Sequence, residues 1–257
     1  MGAEGSFVVK GMYNAASGMM LQLTKQDIVA NNIANSNTNG FKRQLAVSSA
    51  YPVMEITRQE GANPRSMPQS IGQLGSGALI SGVYTDFSTG SMTQTGNPSD
   101  LALGEEIYFV VETPRGERFT RNGNFKVNFD GLLSTSQGYP LLDHNGDYVF
   151  VESGFAVDSQ GNVTVNGATL HTLQLVVFDD PESLAKDGEN LYSAESAYRA
   201  AEDPRLMQGY LEQSNVNAVK EMVTLLEAVR SYEMLQKVVQ AEDELTQAAI
   251  DKVGALG

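Results

Sequence analysis

Cysteine is absent from the 257 residues, and so is tryptophan. Without cysteine there is no disulfide, no thiolate nucleophile and no thiolate ligand for a metal. Only two histidines occur, His144 and His171, so paired imidazoles at metal-binding spacing are excluded. Basic side chains are scarce as well: 17 Lys and Arg stand against 31 Asp and Glu, a formal net charge of -14. Such a surface repels phosphate, which argues against nucleic acid and anionic lipid as partners. No apolar run approaches the roughly 20 residues that a helical membrane span needs. The most apolar stretch, Leu173 to Phe178, is strand-sized, and no membrane insertion is expected. The first residues also lack a basic segment, an apolar segment and a small-residue cleavage site in succession, so a cleaved signal peptide is not expected.

What is present changes its period twice. From Val8 to Asn35, Met12, Ala16, Met19, Leu23, Ala30 and Ile33, with polar Gln26 filling the slot between Leu23 and Ala30, recur in steps of four and three, a heptad seam of the kind that holds one stripe of a helix against a partner. Asn35 to Asn39 and then Gly40 end that helix, because side chains that compete for backbone hydrogen bonds precede a residue free to take positive φ. The far end mirrors the first. From Asn217 to Lys252, Met222, Leu225, Val229, Tyr232, Leu235 and Val239 form a second stripe, with Asn217 placed as cap and Glu221 in the first turn.

Between the helices the period drops to two. Phe125, Val127 and Phe129 alternate with polar residues, as do Val163 and Val165, and turn pairs recur at Asn122-Gly123, Asp130-Gly131, Asn145-Gly146, Gly161-Asn162 and Asn166-Gly167. Ser48 to Gly72 holds three prolines without a clear period and reads as an extended connector. The expected fold is therefore α+β: residues 1–44 and 210–257 give long terminal helices forming a coiled coil, 45–72 the connector, and 73–209 an inserted antiparallel β domain.

Candidate chemistry is thin. Asp143-His144-Asn145-Gly146-Asp147 alternates side chains in the manner of a calcium loop, but its glycine precedes the third ligand position, Asp147, and Gly154 stands where a bidentate glutamate is needed. A hairpin turn through Asn145-Gly146 accounts for the same residues. His171 reads as a strand-edge histidine. No nucleophile elbow and no phosphate-cradling loop occur, so no catalytic residue, cofactor or metal is expected. A carbohydrate-active β protein is the alternative, with Tyr108, Tyr139, Tyr148 and Tyr192 lining a groove.

The segment NNIANSNTNGFKR from Asn31 to Arg43, preceded by AASGM from Ala15, resembles the N-terminal signature of the flagellar axial family, the rod and hook proteins of the bacterial flagellum. LEQSNVNAV from Leu211 to Val219, followed by Ser231-Tyr232-Glu233-Met234, is similar to the family's C-terminal signature, and RFTRNGNF from Arg118 to its β hairpin. One departure is Gly104-Glu105-Glu106-Ile107-Tyr108-Phe109, where the family has Gly-x-Gly-Phe-Phe. Within the family, the size matches rod proteins. Asn122-Gly123-Asn124, Asp203 to Leu206 and Ser214 to Val219 resemble the proximal rod form, while Pro52 to Pro68 and Gly75-Ser76-Gly77 have a distal character.

The resemblance implies a structural subunit of the basal-body rod, periplasmic and exported through the flagellar type III apparatus without a cleaved signal peptide. It also implies that the chain stacks with copies of itself and with neighbouring rod and hook proteins. The assembly interface expected on that basis comprises Met12, Ala16, Met19, Leu23, Asn31, Asn32, Ile33, Asn35, Thr38, Gly40, Phe41, Asn215, Val216, Asn217, Met222, Leu225, Val229, Tyr232 and Leu235.

Overall fold

The computed structural model describes residues 4–50, 53–58, 69–75, 77–152, 154–194 and 196–254. The architecture is α+β, with a helix at each end of a sheet-rich middle. The chain divides into two compact units, one holding residues 1–31, 44–84 and 219–257, the other 32–43 and 85–218.

The first unit contains helix α1 (Glu4–Ala34), strands β1 (Gln44–Ala50), β2 (Val53–Arg58), β3 (Gln69–Gly75) and β4 (Ala78–Thr85), and helix α2 (Ala218–Gly254). β1 pairs with β4, while β2 and β3 form an antiparallel pair from Val53↔Gly75 to Arg58↔Gln69. The sequence reading had this stretch as an extended connector. In β1 and β4 no position is fully buried and the apolar Leu45, Val47, Leu79 and Val83 are exposed, so no buried face imposes a period there. Residues 59–68, including Pro64 and Pro68, lie outside the described residues.

α1 and α2 approach each other where α1 carries glycine. A Cβ built on Gly18 would lie 3.0 Å from Leu235 Cδ1, and one on Gly11 would lie 2.6 Å from Glu242 Oε1. Seven residues forward on α1 correspond to seven residues back on α2, so the two run antiparallel with heptad spacing. Small residues let helix backbones come close, which is why glycine and not leucine occupies the contact line. The buried positions of α1 in this unit, Ala15 and Val29, fit the same line. This line is displaced by one residue from the seam read off the sequence: Ala16 and Leu23 are exposed and Met12 and Met19 only half-buried. On α2 the expected stripe is half-buried at Leu225, Val229, Tyr232, Leu235 and Val239, whereas Met222 is exposed.

The second unit is built on a six-stranded sheet with strand order Ala185–Lys186, Leu191–Ser193, Gly116–Thr120, Ile107–Thr113, Leu175–Phe178, Tyr198–Ala200, each neighbouring pair antiparallel. Its central strand carries the unbroken apolar run Ile107-Tyr108-Phe109-Val110-Val111, all buried, because both faces are covered. Ile107, Phe109 and Val111 join a core with Leu101, Phe125, Leu133 and Leu141; Tyr108 and Val110 join a second with Phe119, Val176, Phe178 and Tyr192. At about 1.5–3 kcal/mol per buried large apolar side chain, this strand organises the unit. The turn before it survives the departure from Gly-x-Gly, with Glu106 held at φ 59° in place of glycine.

Beside this sheet, one turn recurs at intervals of fifteen residues. Asn128, Asp143 and Asp158 each accept, through one side-chain oxygen, the N–H groups two and four residues on, and Gly131, Gly146 and Gly161 follow at φ 80°, 83° and 85°. An acceptor side chain that satisfies two turn N–H groups stabilises the reversal locally, here between the pair Lys126–Val127 and Leu133–Ser134 and between Ala156–Val157 and Asn162–Val165. The loop around His144 is one of these turns. The expected alternation through Phe125, Val127 and Phe129 stops here: Phe125 is buried, Val127 is half-exposed, and Phe129, inside the Asn128 turn, is fully exposed.

Candidate functional site

The N-terminal and C-terminal signature motifs meet in the second unit, around a buried carboxylate. Phe41, Lys42 and Arg43 follow the turn that ends α1, and Glu212 lies on the short strand Tyr210–Glu212. Lys42 Nζ donates to Glu212 Oε1 at 2.7 Å and to Ser88 O at 2.8 Å. Arg121 donates from Nε and Nη2 to Glu212 Oε2 at 2.9 and 2.6 Å, and from Nη1 to the carbonyls of Gly104 and Ile107, both at 2.7 Å. Gly90 N–H completes the shell of Oε1 at 2.9 Å.

All three ionised side chains are 1–2% exposed. Burial alone would raise the pKa of Glu212, but Arg121 and Lys42 outweigh it and hold the carboxyl below its ordinary value. Burial lowers the pKa of Lys42, against the pull of Glu212. Two cations and one anion, every one hydrogen-bonded to its neighbours, form a clasp across 170 residues of sequence on the lysine side and 91 on the arginine side.

The backbone closes the same clasp. Gly40 donates its N–H to Glu212 O at 2.8 Å and sits at φ 66°, where an added Cβ would lie 2.5 Å from the Arg121 carbonyl carbon. Gly123 is equally constrained by closeness: a Cβ there would fall 1.6 Å from Leu101 O. Only glycine permits either approach. Asn215 Oδ1 accepts Arg43 N–H at 2.8 Å, and its Nδ2 donates to Asp86 O at 2.8 Å. From the other side, Lys186 Nζ donates to Lys42 O and stands 4.0 Å over the Phe41 ring, while Asn190 Nδ2 donates to Asn39 O. Burial lowers the pKa of Lys186 to about 8.

Of the residues expected at an assembly interface, the structure therefore draws Gly40, Phe41 and Asn215 into this clasp. Asn32 is buried; Ile33, Asn35, Thr38 and Val216 are half-buried; Asn31 and Asn217 are exposed. Lys42, Arg121 and Glu212 were not singled out from the sequence. A signal was there for Glu212, the one charged residue of LEQSNVNAV, whereas Lys42 stands beside Arg43 and Arg121 shares its motif with Arg118.

The remaining candidates do not gather. Tyr108 and Tyr192 are buried in the core, Tyr139 packs against the other core, and Tyr148 is 45% exposed, so the four tyrosines share no groove. His171 Nδ1 lies 3.0 Å from Asp143 Oδ2, the oxygen not used in the turn. Among the described residues no three of His, Asp and Glu are grouped to hold a metal ion, and no helix is long and apolar enough to cross a membrane.

Comparison with known proteins agrees with the motifs. Residues 12–42 match the family described as flagella basal body rod protein, residues 207–252 the C-terminal region of the flagellar basal body rod FlgEFG proteins, and residues 104–172 the D1 domain of the flagellar hook proteins FlgE/F/G. The chain is 33% identical over 250 residues to the flagellar basal-body rod protein FlgF of Caulobacter vibrioides, covering 95% of this chain and 98% of that one. The chain belongs to the flagellar basal-body rod protein family. It is also 31% identical to the flagellar hook-basal body complex protein FlhO of Bacillus subtilis, over 97% of this chain and 100% of the relative. With the Bacillus subtilis rod protein FlgG the identity is 30%, over 95% and 99%. The rod-family matches at residues 12–42 and 207–252 contain Lys42 and Glu212, and the D1 match contains Arg121, so the clasp joins all three family segments.

Proposed function

We propose that this chain is a structural, non-enzymatic subunit that polymerises helically into the torque-transmitting rod of the basal body, in its proximal segment. The single observation that carries the reading is a likeness to rod proteins along nearly the whole of both chains, 95% of this one and 98% of the Caulobacter relative. The antiparallel, heptad-spaced approach of α1 and α2 at Gly18 and Gly11 supports an inner coiled coil of the terminal helices. The helical residues expected at the interface, from Met12 to Leu23 and from Met222 to Leu235, supply its contacts with further copies and with neighbouring rod and hook proteins. Export through the flagellar type III apparatus to the periplasm follows from the same likeness to basal-body rod proteins.

The proximal assignment rests on the residues around Asn122, Asp203 and Ser214. A distal position is the second reading, favoured by FlgG relatives that match as well, including one from Caulobacter vibrioides at 33% identity over 93% of this chain. Electron microscopy of basal bodies from a deletion strain separates the two. The proximal reading expects particles that stop at the base of the rod, while the distal reading expects a stub carrying the proximal segment. Complete rods and hooks in that strain would refute both.

A further inference from the structure

Asparagine followed by glycine is a chemically labile pair, because the backbone nitrogen after the asparagine is placed to attack its side-chain amide carbon. Glycine, with no Cβ, hinders that nitrogen least and gives the backbone the freedom to bring it round. The chain holds four such pairs, Asn39-Gly40, Asn122-Gly123, Asn145-Gly146 and Asn166-Gly167.

Three of them are held out of reaction. Gly40 is buried and its N–H is spent on Glu212 O at 2.8 Å, while Asn39 O accepts Asn190 Nδ2. Gly123 is buried against Leu101 O, and Asn122 Oδ1 is engaged by the Asn124 N–H at 3.1 Å. Asn145 and Gly146 are exposed, but Gly146 donates its N–H to Asp143 O at 2.9 Å and Asn145 donates its own to Asp143 Oδ1 at 2.8 Å, which fixes the turn.

Asn166-Gly167 differs in each respect. It forms the two-residue turn between the strands Asn162–Val165 and Ala168–Thr172, closed by the pair Val165↔Ala168. Asn166 at φ 52° and Gly167 at φ 84° have the two positive angles of a type I′ turn. Both residues are exposed, and a Cβ built on Gly167 would meet nothing within 4 Å. Among the described residues, neither the Asn166 side chain nor the Gly167 N–H has a hydrogen-bond partner.

We propose that Asn166-Gly167 is a self-modification site, at which the folded chain exchanges a side-chain amide for a carboxylate. Gly167 N gives up its proton and bonds to Asn166 Cγ; the Cγ–Nδ2 bond breaks, and the amide nitrogen leaves with that proton as ammonia. Water then opens the five-membered imide to aspartate or isoaspartate, so one water is consumed for one ammonia released and nothing is oxidised or reduced. Either product adds a negative charge to a chain already at -14. Isoaspartate also lengthens the main chain within a two-residue turn, which opens the Val165↔Ala168 pair, and Val163 and Val165 of that strand are buried in the core.

The test uses the purified full chain and does not depend on assembly. One sample is held folded at mildly alkaline pH and another unfolded in urea; both are digested at acidic pH, and the altered residues are located by tandem mass spectrometry. In urea the four pairs should convert at comparable rates. In the folded chain Asn166 should convert first, Asn145 about two- to tenfold more slowly for the hydrogen bond that must be released, and Asn39 and Asn122 not at all over the same interval. Asn166→Gln, whose longer side chain would have to close a six-membered ring, should abolish the change at 166 and leave Asn145 at its own rate. Folded chain in which Asn166 stays intact overturns the proposal, as does conversion of Asn39, Asn122 or Asn145 at or ahead of the rate of Asn166.

Discussion

Replacing Glu212 by glutamine keeps the size and hydrogen-bonding shape of the side chain and removes its charge. In the folded protein that leaves Lys42 and Arg121, 1% and 2% exposed, without the one anion that both of them touch. Taking away one member of a buried ion cluster costs about 3–5 kcal/mol, because the surviving charge stays desolvated and uncompensated. Arg121 retains its two carbonyl acceptors and Lys42 retains Ser88 O, which places the expected loss toward the lower end of that range. For a chain of this size, a loss of about 3–5 kcal/mol corresponds to a fall in Tm of roughly 6–20 °C. Thermal and urea unfolding of the full chain, followed by circular dichroism, measures it. A double variant in which Glu212 and Lys42 both become methionine should lose less than the sum of the two single changes, since neither then strands the other. If Glu212→Gln lowers stability by under about 1 kcal/mol, the clasp is not holding the two signature motifs on the β unit and the reasoning from buried charge fails.

Other perturbations probe the remaining links. Gly18→Ile places a branched side chain where even a Cβ meets Leu235 Cδ1 at 3.0 Å; overpacking of about 1–3 kcal/mol should lower the helical signal before the β unit melts, and an unchanged melting curve would contradict the α1–α2 approach. Leu225→Asp with Val229→Asp, both half-buried on α2, should leave the β unit folded by near-ultraviolet spectroscopy but abolish motility in soft agar. Normal swimming would count against helix-mediated assembly. The carboxyls of Glu212, Asp143 and Asp158 are all held below their ordinary values, so their contribution is present above about pH 4.5 and lost as the pH falls through the lowered values. Stability measured against pH should therefore decline steeply only below that point, and less steeply in Glu212→Gln.

Much of this architecture was legible because period reports burial. The apolar run Leu173 to Phe178, strand-sized in the sequence, holds the strand Leu175–Phe178, and the two terminal stripes lie on helices. The phase of the α1 seam was less legible: large side chains mark a hydrophobic pattern, but the closest helix contact is made by Gly11 and Gly18, which carry no apolar side chain at all. Phe129 looked like a core residue because alternation says nothing about where a side-chain-capped turn interrupts it. The clasp was hidden for a different reason. Nothing local marks Lys42 and Glu212 as partners across 170 residues, and only the sheet that brings Tyr210–Glu212 beside the Gly40 turn creates the pair. The motifs were recognisable as motifs, while the reason they contain those residues is a property of the folded unit.

The central claim is that this chain is a repeating part of the rod. Cryo-electron microscopy of basal bodies isolated from a strain whose copy of this chain bears a small internal tag tests it most directly. The account predicts tag density repeating helically along the rod, with α1 and α2 innermost around the axis. Rods resolved to the same detail without this chain, or with its β unit facing the axis, would contradict it.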